Sequence, residues 1–107
     1  LNLNNMRDRE SDAMAGKNTL VVKLGRHRAK NYHFALIIGA VLCLFIYSSL
    51  TAEEWNDFLY ILGLIPLVLH LNRVGENESP VLLDPELKKL ALTTFAISIL
   101  FAIGHLW

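Results

Sequence analysis

Three long apolar runs set the terms for this chain. Tyr32–Leu50 and Phe58–Leu71 contain no Asp, Glu, Lys or Arg, and a third run from about Leu87 to Trp107 carries none beyond Lys88 and Lys89. A helix needs about 20 apolar residues to cross about 30 Å of hydrocarbon. The first and third runs meet that length, and the second meets it as Trp55–Asn72 with polar ends. Runs of this kind are too long for ordinary soluble elements. The chain therefore reads as an all-α membrane protein. Its three transmembrane helices are expected at about 32–50, 55–72 and 85–107, behind a polar segment at residues 1–31.

Charge is confined to the gaps, in 7–30, 53–57 and 73–89, so a formal net charge of zero says little about partners. Of the ten Lys and Arg, seven precede the first run, whereas Thr51–Asp57 has none. Basic residues stay on the cytoplasmic side of a membrane. The polar segment and the 72–86 loop are thus expected to face the cytoplasm from the inner (plasma) membrane, with the 51–57 turn and the C-terminus outside.

Local signals support helices. Thr51 and Glu54 have capping-box spacing for the second span. Asp84-Pro85 offers an N-cap and a first-turn proline for the third. Pro66 is expected to kink the second span. Cys43, the single cysteine, rules out an intrachain disulfide and reads as a small buried packing residue. Ala35, Gly39 and Cys43 form a small-residue stripe suited to close helix approach. Tyr60 and Trp107 read as interface anchors. The four histidines lack metal-ligand spacing and read as structural or interfacial. His70 and Arg73 carry a minor expectation of joining a site closed by the 72–86 loop, with Asn72, Glu76, Asn77 and Glu78.

The chemistry concentrates at Asn4–Asp12. Asn4, Asp8 and Asp12 are spaced four apart, which on a helix places them in one stripe. Carboxylate and amide oxygens suit a hard divalent cation such as Mg2+. Arg7, Arg9 and Lys17 suit phosphate oxygens. Lys23, Arg26, Arg28 and Lys30 read instead as anchors to anionic lipid headgroups. Ala15-Gly16-Lys17 reads as a turn that places a lysine. A motif this loaded at the start of the chain is expected to belong to the C-terminal piece of a larger membrane protein.

From Asn4-Asn5-Met6-Arg7-Asp8 through Asp12 and Ala15-Gly16-Lys17-Asn18-Thr19-Leu20 to Leu24-Gly25, the chain resembles the second aspartate-rich motif of UbiA-type intramembrane prenyltransferases. The pattern is most similar to that of the branch acting on 1,4-dihydroxy-2-naphthoate in menaquinone synthesis. The resemblance implies the C-terminal third of a bundle of about nine membrane helices, with a first aspartate-rich motif on N-terminal helices of the same protein that this chain lacks. It implies that Asp8 and Asp12 are catalytic residues binding Mg2+ bridged to a polyprenyl diphosphate. Asn4 and Asn5 would support that site, and Arg7 and Lys17 would contact the diphosphate or the aromatic acceptor. The implied reaction prenylates 1,4-dihydroxy-2-naphthoate to demethylmenaquinone with loss of CO2 and diphosphate. The fragment alone is expected to be inactive. The implied partners are both substrates and the lipid bilayer, with no nucleic acid. Two rival readings remain: a relative using another aromatic acceptor, and a small non-enzymatic scaffold or transporter subunit.

Overall fold

A computed structural model describes all residues, Leu1–Trp107. Every element is helical. Three short helices, α1 (Asn2–Arg7), α2 (Arg9–Met14) and α3 (Leu20–Leu24), precede the long α4 (Arg26–Thr51). A 3-10 helix, Trp55–Gly63, runs into α5 (Leu64–Glu76), and a second, Pro80–Leu83, runs into α6 (Asp84–Leu106). Three units are long and apolar enough to cross a membrane: Arg26–Thr51, Trp55–Glu76 and Pro80–Leu106. The molecule measures 52 × 23 × 20 Å. Its long axis exceeds the roughly 30 Å of a hydrocarbon core, which leaves room for α1–α3 beyond one end of the spans.

Only 18 of 107 residues are buried within the chain. Leu42, Phe45, Ile46, Leu62, Ile65, Leu92 and Phe95 are all exposed. In water that surface would be untenable; in lipid it is solvated, and association rests on packing and polar contacts. Two apolar clusters hold the elements together. Leu3, Met6, Val21, Ala29, Val74 and Leu83 fasten α1 and α3 onto the spans, and Tyr60, Leu67 and Ile97 join the second span to α6.

Several local expectations change. Thr51 ends α4, with Oγ1 donating to the Tyr47 carbonyl at 2.9 Å. The capping box belongs to Glu54 and Asp57, whose Oδ2 accepts from the Glu53 and Glu54 amides at 2.9 and 3.2 Å. A carboxylate three residues inside the 3-10 turn reaches back where the Thr51 hydroxyl, still on α4, cannot. Pro66 lies in the first turn of α5, directly after the 3-10 segment. The change of geometry in this span is the 3-10 to α transition at Gly63–Leu64. Asp84 is helical and makes no cap; Leu83 precedes α6, and the Asp84 carboxylate goes to Arg7.

Packing also differs. Cys43 is exposed, not buried. The Ala35–Gly39–Cys43 stripe meets no helix of this chain, since a Cβ on Gly39 would touch nothing. Gly104 and Gly63 serve close approach instead: a Cβ there would strike the Asn56 carbonyl and the Ile97 side chain. Tyr60 is wholly buried, not an interface anchor.

Candidate functional site

The aspartate-bearing segment is a broken helix with unbroken spacing. Asp8 interrupts α1 and α2 at φ −92 and ψ 5. The i to i+4 bonds nevertheless continue, Asp8 N–H to Asn4 O at 3.0 Å and Asp12 N–H to Asp8 O at 2.8 Å. That continuity keeps Asn4, Asp8 and Asp12 along one stripe.

Arg7 gathers the first part of this stripe. Its Nε and Nη2 donate to Asp8 Oδ1 and Oδ2 at 2.8 and 3.1 Å, a bidentate pair. Nη2 also donates to Asn4 Oδ1 at 2.9 Å, and Nη1 to Asp84 Oδ1 at 2.7 Å. The hydrogen bond from Arg7 holds the Asp8 carboxyl below its ordinary range, against the opposing effect of partial desolvation. The same bond, with that to Asp84, raises the Arg7 guanidinium.

Asp12 is nearly buried, and Lys17 Nζ donates to its Oδ1 at 3.2 Å. The lysine is placed by a Schellman turn: Gly16 N–H bonds Ala13 O at 3.2 Å, and Lys17 N–H bonds Asp12 O at 2.9 Å. Gly16 takes the required left-handed conformation at φ +75. Asn5 is half-buried on α1 and makes no side-chain hydrogen bond.

The donor set of this segment is oxygen only, which fits a hard cation, and Mg2+ takes one or two carboxylates from its protein. Each carboxylate now has a cationic partner of its own chain, Arg7 or Lys17. No group of three or more His, Cys, Asp or Glu side chains converges for a metal anywhere in the chain. Any metal here would therefore take its remaining ligands from outside this chain.

A second polar assembly lies inside the same end of the bundle. His33 on α4 and His70 on α5 meet through their Nε2 atoms at 3.0 Å. His70 Nδ1 lies 2.8 Å from Glu86 Oε2 on α6. Arg73 Nε and Lys89 Nζ donate to Glu86 Oε1 at 2.6 and 3.2 Å. His33, His70 and Glu86 are all buried. With neutral imidazoles, an acceptor-only carboxylate orders the protons: His70 Nδ1–H donates to Glu86, and its Nε2 lone pair accepts from His33 Nε2–H. Sequence spacing pointed to none of this beyond the weak expectation for His70 and Arg73, because the three contributors lie on three different spans. A carboxylate within a span was the available signal, since such a group faces a partner inside the bundle.

The basic residues divide by role. Lys30 caps the C-terminus of α5, its Nζ donating to the Asn77 carbonyl and to Gly75 O at 3.1 Å, rather than reaching for lipid. His27 and Arg28 are exposed. Asn77 and Glu78 border a small cleft with Arg9 and Arg26, while Asn72 and Glu76 are exposed.

Residues 1–77 match the family model described as UbiA prenyltransferase family. The chain belongs to this family. The matched residues include the aspartate stripe, Lys17, His33 and His70. Two relatives extend the similarity through α6. The chain is 40% identical to the 1,4-dihydroxy-2-naphthoate octaprenyltransferase of Haemophilus influenzae over 99% of its length. It is 35% identical to the protein of the same name from Escherichia coli over 97%. It covers 34% of each, so it spans about a third of the length of these curated relatives. No solved structure matches it. As a UbiA member with three membrane-length helices, it is a piece of a membrane protein with the architecture of that family.

Proposed function

We propose that this chain supplies the second aspartate-rich half of a site that transfers a polyprenyl group from its diphosphate to 1,4-dihydroxy-2-naphthoate. The observation that carries this reading is the Asn4–Asp8–Asp12 stripe, flanked by Arg7 and Lys17, at one end of three spans. The names of the two relatives support the acceptor. Asp8 and Asp12 would hold Mg2+, which when bound supplies positive charge opposite the diphosphate oxygens. The remaining ligands and the first motif come from outside this chain, and the chain by itself is inactive. The stripe faces the cytoplasm from the inner membrane, in keeping with the basic residues around it.

The residues then divide the work. Arg7 and Lys17 exchange their carboxylate partners for diphosphate oxygens and stabilise charge as the allylic C–O bond breaks. Asn4 and Asn5 orient the head group. The apolar flanks of α4 and α6 hold the tail and exclude water from the allylic cation. The ring carbon attacks, its carboxylate leaves as CO2, and the bonding pair returns to the ring.

The test is prenyl transfer by the full-length protein with dihydroxynaphthoate and a polyprenyl diphosphate. Asp8→Ala and Asp12→Ala are expected to abolish turnover, and EDTA should do the same until Mg2+ is restored. Wild-type rates in either variant would refute the assignment.

A further inference from the structure

An open groove runs between α4 and α6, bordered by α1. Its walls are apolar, with Leu36, Ile37, Leu90 and Phe95 among them, and its lining includes Asn2 and His33. His33 thus both lines this groove and closes the buried series His33–His70–Glu86. Its only hydrogen bond runs through Nε2 to His70, which leaves Nδ1 without a partner. The proton order derived above leaves a lone pair on that atom.

We propose that His33 is a proton-accepting catalytic residue for the hydroxyl of an aromatic acceptor, with His70 and Glu86 as its positioning residues. This rests on the prenyl-transfer reading and adds a residue role to it. As the ring carbon attacks the prenyl carbon, the acceptor hydroxyl releases its proton to His33 Nδ1. The Nε2 proton of His33 passes to His70 Nε2, and the resulting imidazolium stands against the Glu86 carboxylate at 2.8 Å. When CO2 leaves, the electron pair returns through the ring to the oxygen, and the proton comes back along the same series. No net proton is gained or lost.

The groups facing this series come from all three spans. α4 gives His33, α5 gives His70 and Arg73, and α6 gives Glu86 and Lys89. Arg73 and Lys89 both engage Oε1, leaving Oε2 to His70. These two bonds orient the carboxylate.

The experiment is steady-state prenyl transfer by the full-length protein across a pH series, with thermal unfolding of each variant measured alongside. His33→Gln is expected to lower kcat roughly 100-fold, the scale of one positioned base, with KM for the prenyl diphosphate unchanged. The acid limb of the rate profile should vanish. Glu86→Gln keeps the shape but removes the charge opposite the imidazolium. It should lower kcat less and move the acid limb to lower pH, and it carries the test if His33→Gln does not fold. Wild-type kcat in His33→Gln would overturn the proposal. So would rate losses that track lost thermal stability with the acid limb unmoved, which is the result of a packing role alone. Absence of any transfer by the wild-type protein would overturn the parent reading, and this one with it.

Discussion

Asp8 and Glu86 are both carboxylates gripped by an arginine at the same end of the bundle, and they are built in opposite ways. Asp8 takes its arginine from the neighbouring position and remains one-third exposed. Glu86 is 6% exposed and takes its partners from α5 and α6, through Arg73, His70 and Lys89. The Asp8 pair is local, and on the proposed reading its cation is traded for a ligand. The Glu86 assembly is tertiary, and His70 behind it has no exposure to water at all. The difference separates a local, partly exposed pair from a buried assembly that joins three spans. Both lie among residues bearing on the proposed reaction, so perturbing each should read out differently.

Glu86→Ala is the most damaging change expected. It strands His70 Nδ1 inside the bundle and leaves Arg73 and Lys89 without their shared acceptor. Breaking a buried ionic contact by removing one partner costs about 3–5 kcal/mol. The lower end applies here, because Arg73 and Lys89 are 41% and 52% exposed and can turn to water. Thermal or denaturant unfolding in detergent measures it. If Glu86→Ala proves no less stable than Asp8→Asn, the contrast between the two carboxylates collapses.

This contrast also marks what the residues disclosed in advance. The spans were legible because a membrane demands length and apolarity, and both are properties of consecutive residues. The aspartate stripe was legible because its spacing of four is local. His33, His70 and Glu86 lie on separate spans, and no periodicity joins them. The 3-10 helix at Trp55–Gly63 was equally hidden. Pro66 drew the expectation of a kink, although the geometry changes just before it, where Gly63 lets α6 approach through Ile97. Thr51 and Glu54 fitted a capping pattern by residue type, and only the true end of α4 shows that Asp57 makes the cap.

A packing contact at the far end supplies an intermediate benchmark. Gly104 lies against the Asn56 backbone, and Asn56 Nδ2 donates to Gly104 O at 3.2 Å. Gly104→Ala would drive a methyl group into a backbone oxygen that cannot rotate away. Overpacking of that kind costs about 1–3 kcal/mol. Gly63→Ala should cost less, because it meets the Ile97 side chain, which can change rotamer. Unfolding midpoints should therefore fall in the order Gly63→Ala above Gly104→Ala above Glu86→Ala. A Gly63→Ala midpoint below that of Gly104→Ala would show that Ile97 is locked in place.

The smallest stability effect is expected from Asp8→Asn, which is also expected to abolish prenyl transfer. The Arg7 guanidinium keeps Asn4 and Asp84 as partners when the charge at position 8 is lost. Exposed ion pairs contribute little because water and salt already screen them. The unfolding midpoint should stay within error of wild type while turnover disappears. The pH dependence has the same sign. Arg7 holds the folded-state carboxyl of Asp8 below its unfolded value. Whatever stability it contributes is present above an ordinary aspartate pKa of about 3.9, and is lost only as pH falls through the lower folded value. Acidifying from about pH 7 to about pH 5 should thus leave the Asp8 contribution intact. If Asp8→Asn instead lowers the midpoint at about pH 7 by as much as Gly104→Ala does, then Asp8 is a structural strut like Glu86, and its availability to a ligand is refuted.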